Sequence, residues 1–175
     1  MPDDTRPQVI AIEEHYLDNA VMELSGGGGP PHIYAMLSDL GEVRLREMDE
    51  AGVDIQVLSH CPPGAQAFEP ADAADQARGI NDRLNDVVKA KPDRFAAFAT
   101  LPTRDPVAAA AELDRCVNDM GFKGAMLHGL TAGKFHDEEE FWPIFERAAA
   151  LDVPIYIHPG MPHPDVIDIY YGTYK

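Results

Sequence analysis

The stretch VIAIEEH, Val9 to His15, decides the fold and supplies the first candidate site. Its apolar residues are typical of a strand buried in a parallel sheet, and charged residues follow where that strand ends. Because strand side chains alternate between two faces, Glu13 and His15 share one face and Glu14 takes the other. Two residues of strand rise about 6.5–7 Å, so a carboxylate and an imidazole can hold one cation there. The residues alone leave other interpretations open, a buried Glu13–His15 pair or a Glu13 bonded to a backbone amide.

A similar stretch, PIYIHP, occurs at Pro154 to Pro159 and also contains a histidine at the strand end. Between the two stretches, three further segments have strand character: Asp54–His60, Arg94–Leu101 and Phe122–His128. Helical patterns separate the strands at Glu42–Ala51, Ala73–Lys89, Val107–Met120 and Glu138–Leu151. This alternation predicts an α/β fold with a parallel sheet of right-handed βαβ units, either an open doubly wound sheet or part of a barrel.

One connection is much longer than the others and spans residues 17–40. It contains the glycine- and proline-rich run SGGGGPP, Ser25 to Pro31. A glycine run after a strand suggests a phosphate-binding loop, but the Gly-Lys-Ser/Thr ending is absent and prolines stand where a helix would start. We therefore expect a flexible flap over the strand ends.

Composition limits the classes of partner. The chain has 175 residues, enough for one domain, whereas a complete eight-stranded α/β barrel usually needs about 250. Its 30 acidic and 14 basic residues give a net charge of −16, which disfavours nucleic acid and anionic membranes as partners. Two cysteines, no apolar run near the roughly 20 residues of a membrane span and no signal-peptide pattern predict a cytoplasmic protein.

Histidines mark the predicted strand ends, where parallel α/β folds assemble their sites. Four of the seven lie at or just after such an end: His15, His60, His128 and His158. His128 is a candidate for hydrogen bonding to a substrate near the metal. His60 leads into a turn, and a nucleophilic role for the adjacent Cys61 is disfavoured because sequence neighbours at a strand end point in opposite directions. The remaining histidines are expected to face solvent: His32, His136 and His163.

Four short motifs carry a family resemblance, and they occur in the family's order: IEEH at Ile12–His15, KPDRF at Lys91–Phe95, NDMGFKG at Asn118–Gly124 and LDVPIYIHP at Leu151–Pro159. The chain resembles the amidohydrolase superfamily. Within it, the chain is similar to the aminocarboxymuconate-semialdehyde decarboxylase-like branch, and particularly to hydroxybenzoate (γ-resorcylate-type) decarboxylases. The resemblance extends from about residue 9 to about residue 159, and Glu-x-His in place of His-x-His is fairly specific for that group.

The resemblance implies a TIM (β/α)8 barrel with one divalent metal ion, Zn²⁺ or Mn²⁺, at its mouth. Residues 1–175 would form the N-terminal portion, strands 1–5, of a barrel that is not completed within this chain. Glu13, His15 and His158 match the family's metal ligands. A single ion is favoured, because the fourth strand ends in His128 and not in a lysine. The family also has a strand-six histidine and a strand-eight catalytic aspartate, which would lie beyond this chain.

The implied activity is that of a metal-dependent decarboxylase, a carbon–carbon lyase acting on a hydroxylated aromatic or related unsaturated carboxylic acid. Two alternatives remain open: an amidohydrolase-type hydrolase of an ester, lactone or amide, and a non-catalytic truncated remnant. A partial barrel would leave strand edges and an inner face uncovered, so we also expect self-association or a homo-oligomer.

Overall fold

A computed structural model describes residues 6–18, 21–22 and 30–172. The glycine run of the predicted flap lies outside these residues. The strands are β1 (Ile10–Tyr16), β2 (Ile55–His60), β3 (Phe95–Ala97), β4 (Ala99–Thr100), β5 (Ala125–His128) and β6 (Ile155–His158). The α-helices are α1 (Pro31–Ser38), α2 (Glu42–Ala51), α3 (Pro70–Ala90), α4 (Pro106–Met120), α5 (Trp142–Ala150) and α6 (Pro164–Ile167). Turns of 3₁₀ helix cover Gly64–Ala67 and Glu139–Phe141, and a π-helical turn covers Asp168–Gly172.

The strands form two parallel three-stranded sheets, ordered β1-β2-β3 and β4-β5-β6. Strands β3 and β4 are two parts of one predicted strand, interrupted at Phe98. The N–H of Phe98 donates to Leu58 O at 2.9 Å, whereas the N–H of Ala99 donates to Gly124 O at 2.9 Å. The chain therefore switches partner at this point, and the two sheets continue one another as one curved layer. This is the predicted partial barrel of parallel strands alternating with helices.

Element boundaries agree with the sequence patterns to within a few residues, and two helices are added, α1 and the short α6. Helix α1 was not predicted, because Pro30 and Pro31 were interpreted as helix breakers. Pro31 instead occupies the first turn, where its missing N–H costs nothing and its fixed φ suits a helix. Part of the segment 17–40 is thus helical. Among the residues that the structure describes, no helix combines the length and the apolar character needed to cross a bilayer.

The face of the sheet that meets the helices carries the main hydrophobic core. Strand residues such as Leu58 and Leu127 point to this side. Helix α3 meets them with a stripe of buried residues at spacings of three and four: Ala73, Ala77, Ile80 and Leu84. The opposite, inner face carries a small separate cluster formed by Val57, Phe98 and Met126, with Ala96 and Tyr156 packed against it. The alternation of strand side chains separates the two groups.

Helix α4 turns a different face inward from the one predicted. The helical spacing of this segment predicts Ala110, Leu113 and Val117 as the inward stripe, whereas the buried residues are Ala109, Glu112, Leu113 and Cys116. Glu112 is tolerated in this position because Asn81 Nδ2 donates to it at 2.8 Å and Arg115 Nε at 2.8 Å. A buried carboxylate is stable when it is paired and hydrogen-bonded, so the charge of Glu112 is satisfied locally.

Candidate metal centre

The last residues of β1 place two polar side chains on the inner face. Glu13 and His15 lie on this face, as the alternation predicted. Glu14 lies on the other side, where its carboxylate accepts a hydrogen bond from Gln56 Nε2 at 2.8 Å. The pairing of β1 with β2 places His15 beside Ser59, with a register irregularity between Ala11 and Glu14.

Strand β6 brings His158 to the same point from the far end of the curved layer. His158 Nε2 lies 3.1 Å from His15 Nε2 and 3.2 Å from Glu13 Oε1. The three donor atoms all lie within 4.8 Å of one another. Ligand atoms that share one divalent ion at bond lengths of about 2.1 Å lie roughly 3 Å apart. The donor set and its spacing therefore fit a single divalent metal ion.

Neighbouring groups orient both imidazoles toward this point. His158 Nδ1 lies 2.6 Å from Pro159 O, and since a carbonyl oxygen only accepts, Nδ1 carries the proton and Nε2 keeps its lone pair. His15 Nδ1 lies 3.1 Å from Ser59 Oγ. Arg44 Nη2 donates to the backbone oxygen of His15 at 2.9 Å. His15 Nε2, His158 Nε2 and a carboxylate oxygen of Glu13 thus converge, an arrangement that a cation stabilises.

Electrostatics favour the forms of these groups that bind metals. Burial, together with the neighbouring His158, lowers the pKa of His15, so its imidazole is neutral near pH 7. The hydroxyl of Tyr156 donates to Glu13 and lowers the pKa of that carboxyl group. Metal ligands must be deprotonated, so neither residue has to lose a proton at neutral pH before a cation binds.

His128 lies beside the three donors, on the strand next to β6 and in register with His158. Its ring centroid is 5.4 Å from that of His158 and 6.4 Å from that of His15. The residue is only 7% exposed, and its Nδ1 is buried without a hydrogen-bond partner among the described residues. Burial lowers its pKa to about 3, so the imidazole is neutral. The neutral ring therefore lies beside the candidate site, with its Nδ1 inside the protein.

The side chain of Gln66 fixes the backbone of His128. Gln66 Oε1 accepts from the N–H of His128 at 2.7 Å, and Gln66 Nε2 donates to the oxygen of His128 at 3.1 Å. Strand β4 ends at Thr100 and leaves this end of β5 without a backbone partner on that side. The side-chain amide of Gln66 therefore makes the two backbone hydrogen bonds that a neighbouring strand would otherwise make with His128.

Two glycines fix the distance between the ends of β5 and β6. The N–H of Gly129 donates to His158 O at 2.9 Å. A Cβ atom added at Gly129 would lie 2.8 Å from Gly160 Cα, and the same distance applies in reverse. Gly129 also has φ +50°, which favours glycine. The two backbones thus touch immediately after His128 and His158.

The structure excludes His60 and Cys61 from the site. His60 is buried on the helix-facing side, where its Nε2 accepts from the N–H of Asp18 at 3.0 Å and its Nδ1 donates to Cys61 O at 2.6 Å. Both ring nitrogens are satisfied, so the role of His60 is structural. Burial raises the pKa of the Cys61 thiol to about 11, which disfavours a reactive thiolate.

One histidine prediction was wrong. His136, expected to face solvent, is buried: its Nε2 lies 2.9 Å from Thr131 Oγ1, and its ring packs edge-on against Phe141 at 5.3 Å between centroids. The sequence of its loop is polar and carries no signal for these tertiary contacts.

Three residues at the site were missed: Ser59, Gln66 and Tyr156. The alternation rule could have found Tyr156, since it precedes His158 by two residues on the same strand face. Ser59 requires the β1–β2 register, and Gln66 requires the path of a loop, neither of which the sequence displays.

Comparisons with known proteins agree with this architecture. A γ-resorcylate decarboxylase of Polaromonas sp. (strain JS666) is 38% identical over 174 residues, which cover 93% of this chain and 53% of the relative. The crystal structure of a dihydroxybenzoic acid decarboxylase from Polaromonas sp. JS666, with manganese and the inhibitor 2-nitroresorcinol, matches with a TM-score of 0.85 at 37% identity, over 95% of this chain and 54% of that one. A manganese-bound 5-carboxyvanillate decarboxylase from Novosphingobium aromaticivorans matches with a TM-score of 0.86 at 31% identity, over 95% and 54%.

The chain spans about half the length of the curated relatives it matches. The family model described as "Amidohydrolase" matches residues 31–170, which include five of the six strands and His158. The curved parallel layer agrees with this match. The chain therefore belongs to the amidohydrolase family.

Proposed function

We propose that this chain is part of a metal-dependent decarboxylase that removes CO₂ from a hydroxylated benzoate, and that Glu13, His15 and His158 bind its metal ion. The observation that carries the proposal is the convergence of one carboxylate oxygen and two imidazole nitrogens, with 3.1 and 3.2 Å between neighbouring donor atoms. The similarity to hydroxybenzoate decarboxylases, two of them solved with manganese, supports it.

The surroundings of the three donors suit an aromatic acid. When bound, a divalent ion supplies positive charge that neutralises a substrate carboxylate and an ortho oxygen together and so orients the ring. The apolar cluster of Val57, Phe98 and Met126 lies next to the site through Tyr156 and makes its surroundings apolar. Neutral His128 lies beside His158 and is the candidate for a hydrogen bond to a substrate oxygen.

The reaction class follows from this binding mode. In a decarboxylation, the electron pair of the bond between ring and carboxyl carbon stays on the ring, CO₂ leaves, and that ring carbon takes up a proton. His15 and His158, held by Ser59 and the Pro159 carbonyl, keep the metal position fixed during these steps.

The donor set does not discriminate strongly between metals. One carboxylate and two imidazoles suit Zn²⁺ as well as Mn²⁺, so the proposal covers either ion. Titration calorimetry with each ion separately measures the preference.

Metal-binding measurements test the ligand assignment, and identification of the reaction product tests the chemistry. We expect one equivalent of Mn²⁺ or Zn²⁺ per chain, and an affinity loss of about a hundredfold or more in His158→Ala, since removing a group that merely supports a ligand costs 10–100-fold. His32→Ala, on the exposed side of α1, is the matched control. Equal binding by His158→Ala and the wild type would contradict the ligand assignment.

Release of CO₂ from 2,6-dihydroxybenzoate by the loaded protein is the expected activity. Cleavage of an aryl ester or lactone without CO₂ release would identify a hydrolase instead. Metal binding without either activity would show a metal site that does not catalyse in this chain.

We also propose that the chain self-associates through β1 and β6, which are edge strands among the described residues. Edge strands present unpaired N–H and C=O groups, and here the edges carry apolar residues: Ile12 is 51% exposed and Ile157 58%. Sedimentation velocity should show dimers or larger species that Ile12→Lys reduces. Val107→Lys, at a residue of α4 that is 73% exposed, should leave the distribution unchanged. A monodisperse wild-type monomer would contradict this proposal.

A further inference from the structure

Tyr156 lies on the inner face of β6, next to the three donor atoms on the side toward the start of the strand. It precedes His158 by two residues, just as Glu13 precedes His15 on β1, so the two strands present matching pairs. The upper members, His15 and His158, meet through their Nε2 atoms. The lower members also meet, because the hydroxyl of Tyr156 donates to Glu13 Oε2.

This contact divides the two oxygens of the Glu13 carboxylate between two partners. Oε2 accepts from Tyr156, whereas Oε1 lies 3.2 Å from His158 Nε2 and faces the imidazoles. Among the described residues, no other side chain hydrogen-bonds to Oε2. The terminal torsion of a glutamate is broad, and the Glu13 side chain is 47% exposed, so without Tyr156 nothing in the described structure would select which oxygen faces the histidines.

The ring of Tyr156 is itself held in place. It packs against Phe98 with 6.3 Å between ring centroids and 32° between ring planes, at the margin of the cluster that includes Val57 and Met126. A tyrosine anchored by its apolar ring presents its hydroxyl at a fixed position at little entropic cost. Phenylalanine at this position would keep the packing and lose only the hydrogen bond.

We propose that Tyr156 is a positioning residue for the metal site: it holds Oε2 of Glu13 so that Oε1 alone is directed at the ion. The inference rests on the proposed function, because it takes Glu13, His15 and His158 as the ligands. Its consequence is a carboxylate that binds through one oxygen, with affinity that depends on a hydroxyl that does not itself touch the ion.

The test is Tyr156→Phe, with Tyr170→Phe as the matched control because Tyr170 is exposed outside the site. We expect Mn²⁺ affinity, measured by titration calorimetry, to fall by about ten- to a hundredfold in Tyr156→Phe, the usual effect of removing a group that orients a metal ligand. Tyr170→Phe should bind as the wild type does. A loss smaller than tenfold in Tyr156→Phe would overturn the proposal.

Urea unfolding of the metal-free proteins separates positioning from general stabilisation. We expect the unfolding midpoint of metal-free Tyr156→Phe to match that of Tyr170→Phe, since the ring packing is retained. A fall in that midpoint large enough to leave the variant partly unfolded during the titration would show a merely structural role and also overturn the proposal.

The outcomes distinguish this inference from the proposed function. If the wild type binds Mn²⁺ and His158→Ala does not, while Tyr156→Phe binds normally, the ligand assignment stands and the positioning role is wrong. If the wild type itself binds no divalent ion, both the ligand assignment and the positioning role that depends on it are wrong.

Discussion

The two faces of the curved sheet differ in what they contribute. The helix-facing side is packed by residues with no exposure, such as Leu58, Leu113 and Leu127. The inner face has a small apolar cluster and the polar side chains of the candidate site, with Glu13 nearly half exposed. Since the free energy of folding scales with buried apolar surface, the helix-facing side stabilises the chain. The site on the inner face is therefore separable from stability.

The largest expected effect tests the helix-facing side. Leu113→Ala should lower the free energy of unfolding by about 3 kcal/mol, since Leu→Ala in a packed core costs 2–5 kcal/mol through lost burial and a residual cavity. Urea unfolding measures it. Val107→Ala, on the exposed side of the same helix, should change stability by less than about 0.5 kcal/mol. Equal costs at the two positions would remove the distinction between the faces.

A second prediction tests whether the inner face stabilises the fold once its site has bound a metal ion. Mn²⁺ at about a hundred times its dissociation constant should raise the free energy of unfolding by roughly 2.7 kcal/mol, because the ion binds only the folded chain. Glu13→Gln at the same Mn²⁺ concentration should show much less stabilisation, whereas the exposed Glu146→Gln should respond as the wild type does. Thermal unfolding with Mn²⁺ and with EDTA compares the three. Full stabilisation of Glu13→Gln would remove that residue from the metal site.

The smallest effect is a pH dependence on the helix-facing side. Burial lowers the pKa of His60 below its ordinary value of about 6.5. The unfolded chain then binds more protons than the folded chain below about pH 6.5, so the stabilisation is complete above that pH and is lost as pH falls toward the folded pKa. The slope from one such histidine is about 1.4 kcal/mol per pH unit.

The measurement is urea unfolding in EDTA between pH 7.5 and pH 5. His60→Gln should reduce the slope with pH, whatever its effect on stability at pH 7.5. His32→Ala, at an exposed position, should leave the slope unchanged. An unchanged slope in His60→Gln would contradict the assignment of His60 as a buried neutral group.

The order of elements could be predicted because it depends on local patterns. Alternating apolar runs and helical stripes determined the strands and most helices, and the strand-end rule drew attention to Glu13, His15 and His158. The convergence of these three depends on curvature of the sheet, which the family resemblance implied and which brings residues 143 positions apart to 3.1 Å.

What the sequence did not reveal depends on tertiary partners. The buried face of helix α4 carries Glu112, and its burial depends on hydrogen bonds from Asn81 and Arg115 that the sequence does not display. His136 was assigned to solvent for the same reason, since its partner Thr131 is recognisable only once the loop is folded. In both cases a polar residue is buried because another polar residue meets it there.

The contact between Gly129 and Gly160 has a consequence for redesign of the pocket. Neither position accepts a side chain without separating the two backbones. The distance between the strand ends at His128 and His158 is therefore fixed by this contact. Libraries that aim to admit a larger or differently substituted ring gain nothing by varying these glycines. Variation belongs at residues of the site that have open space around them.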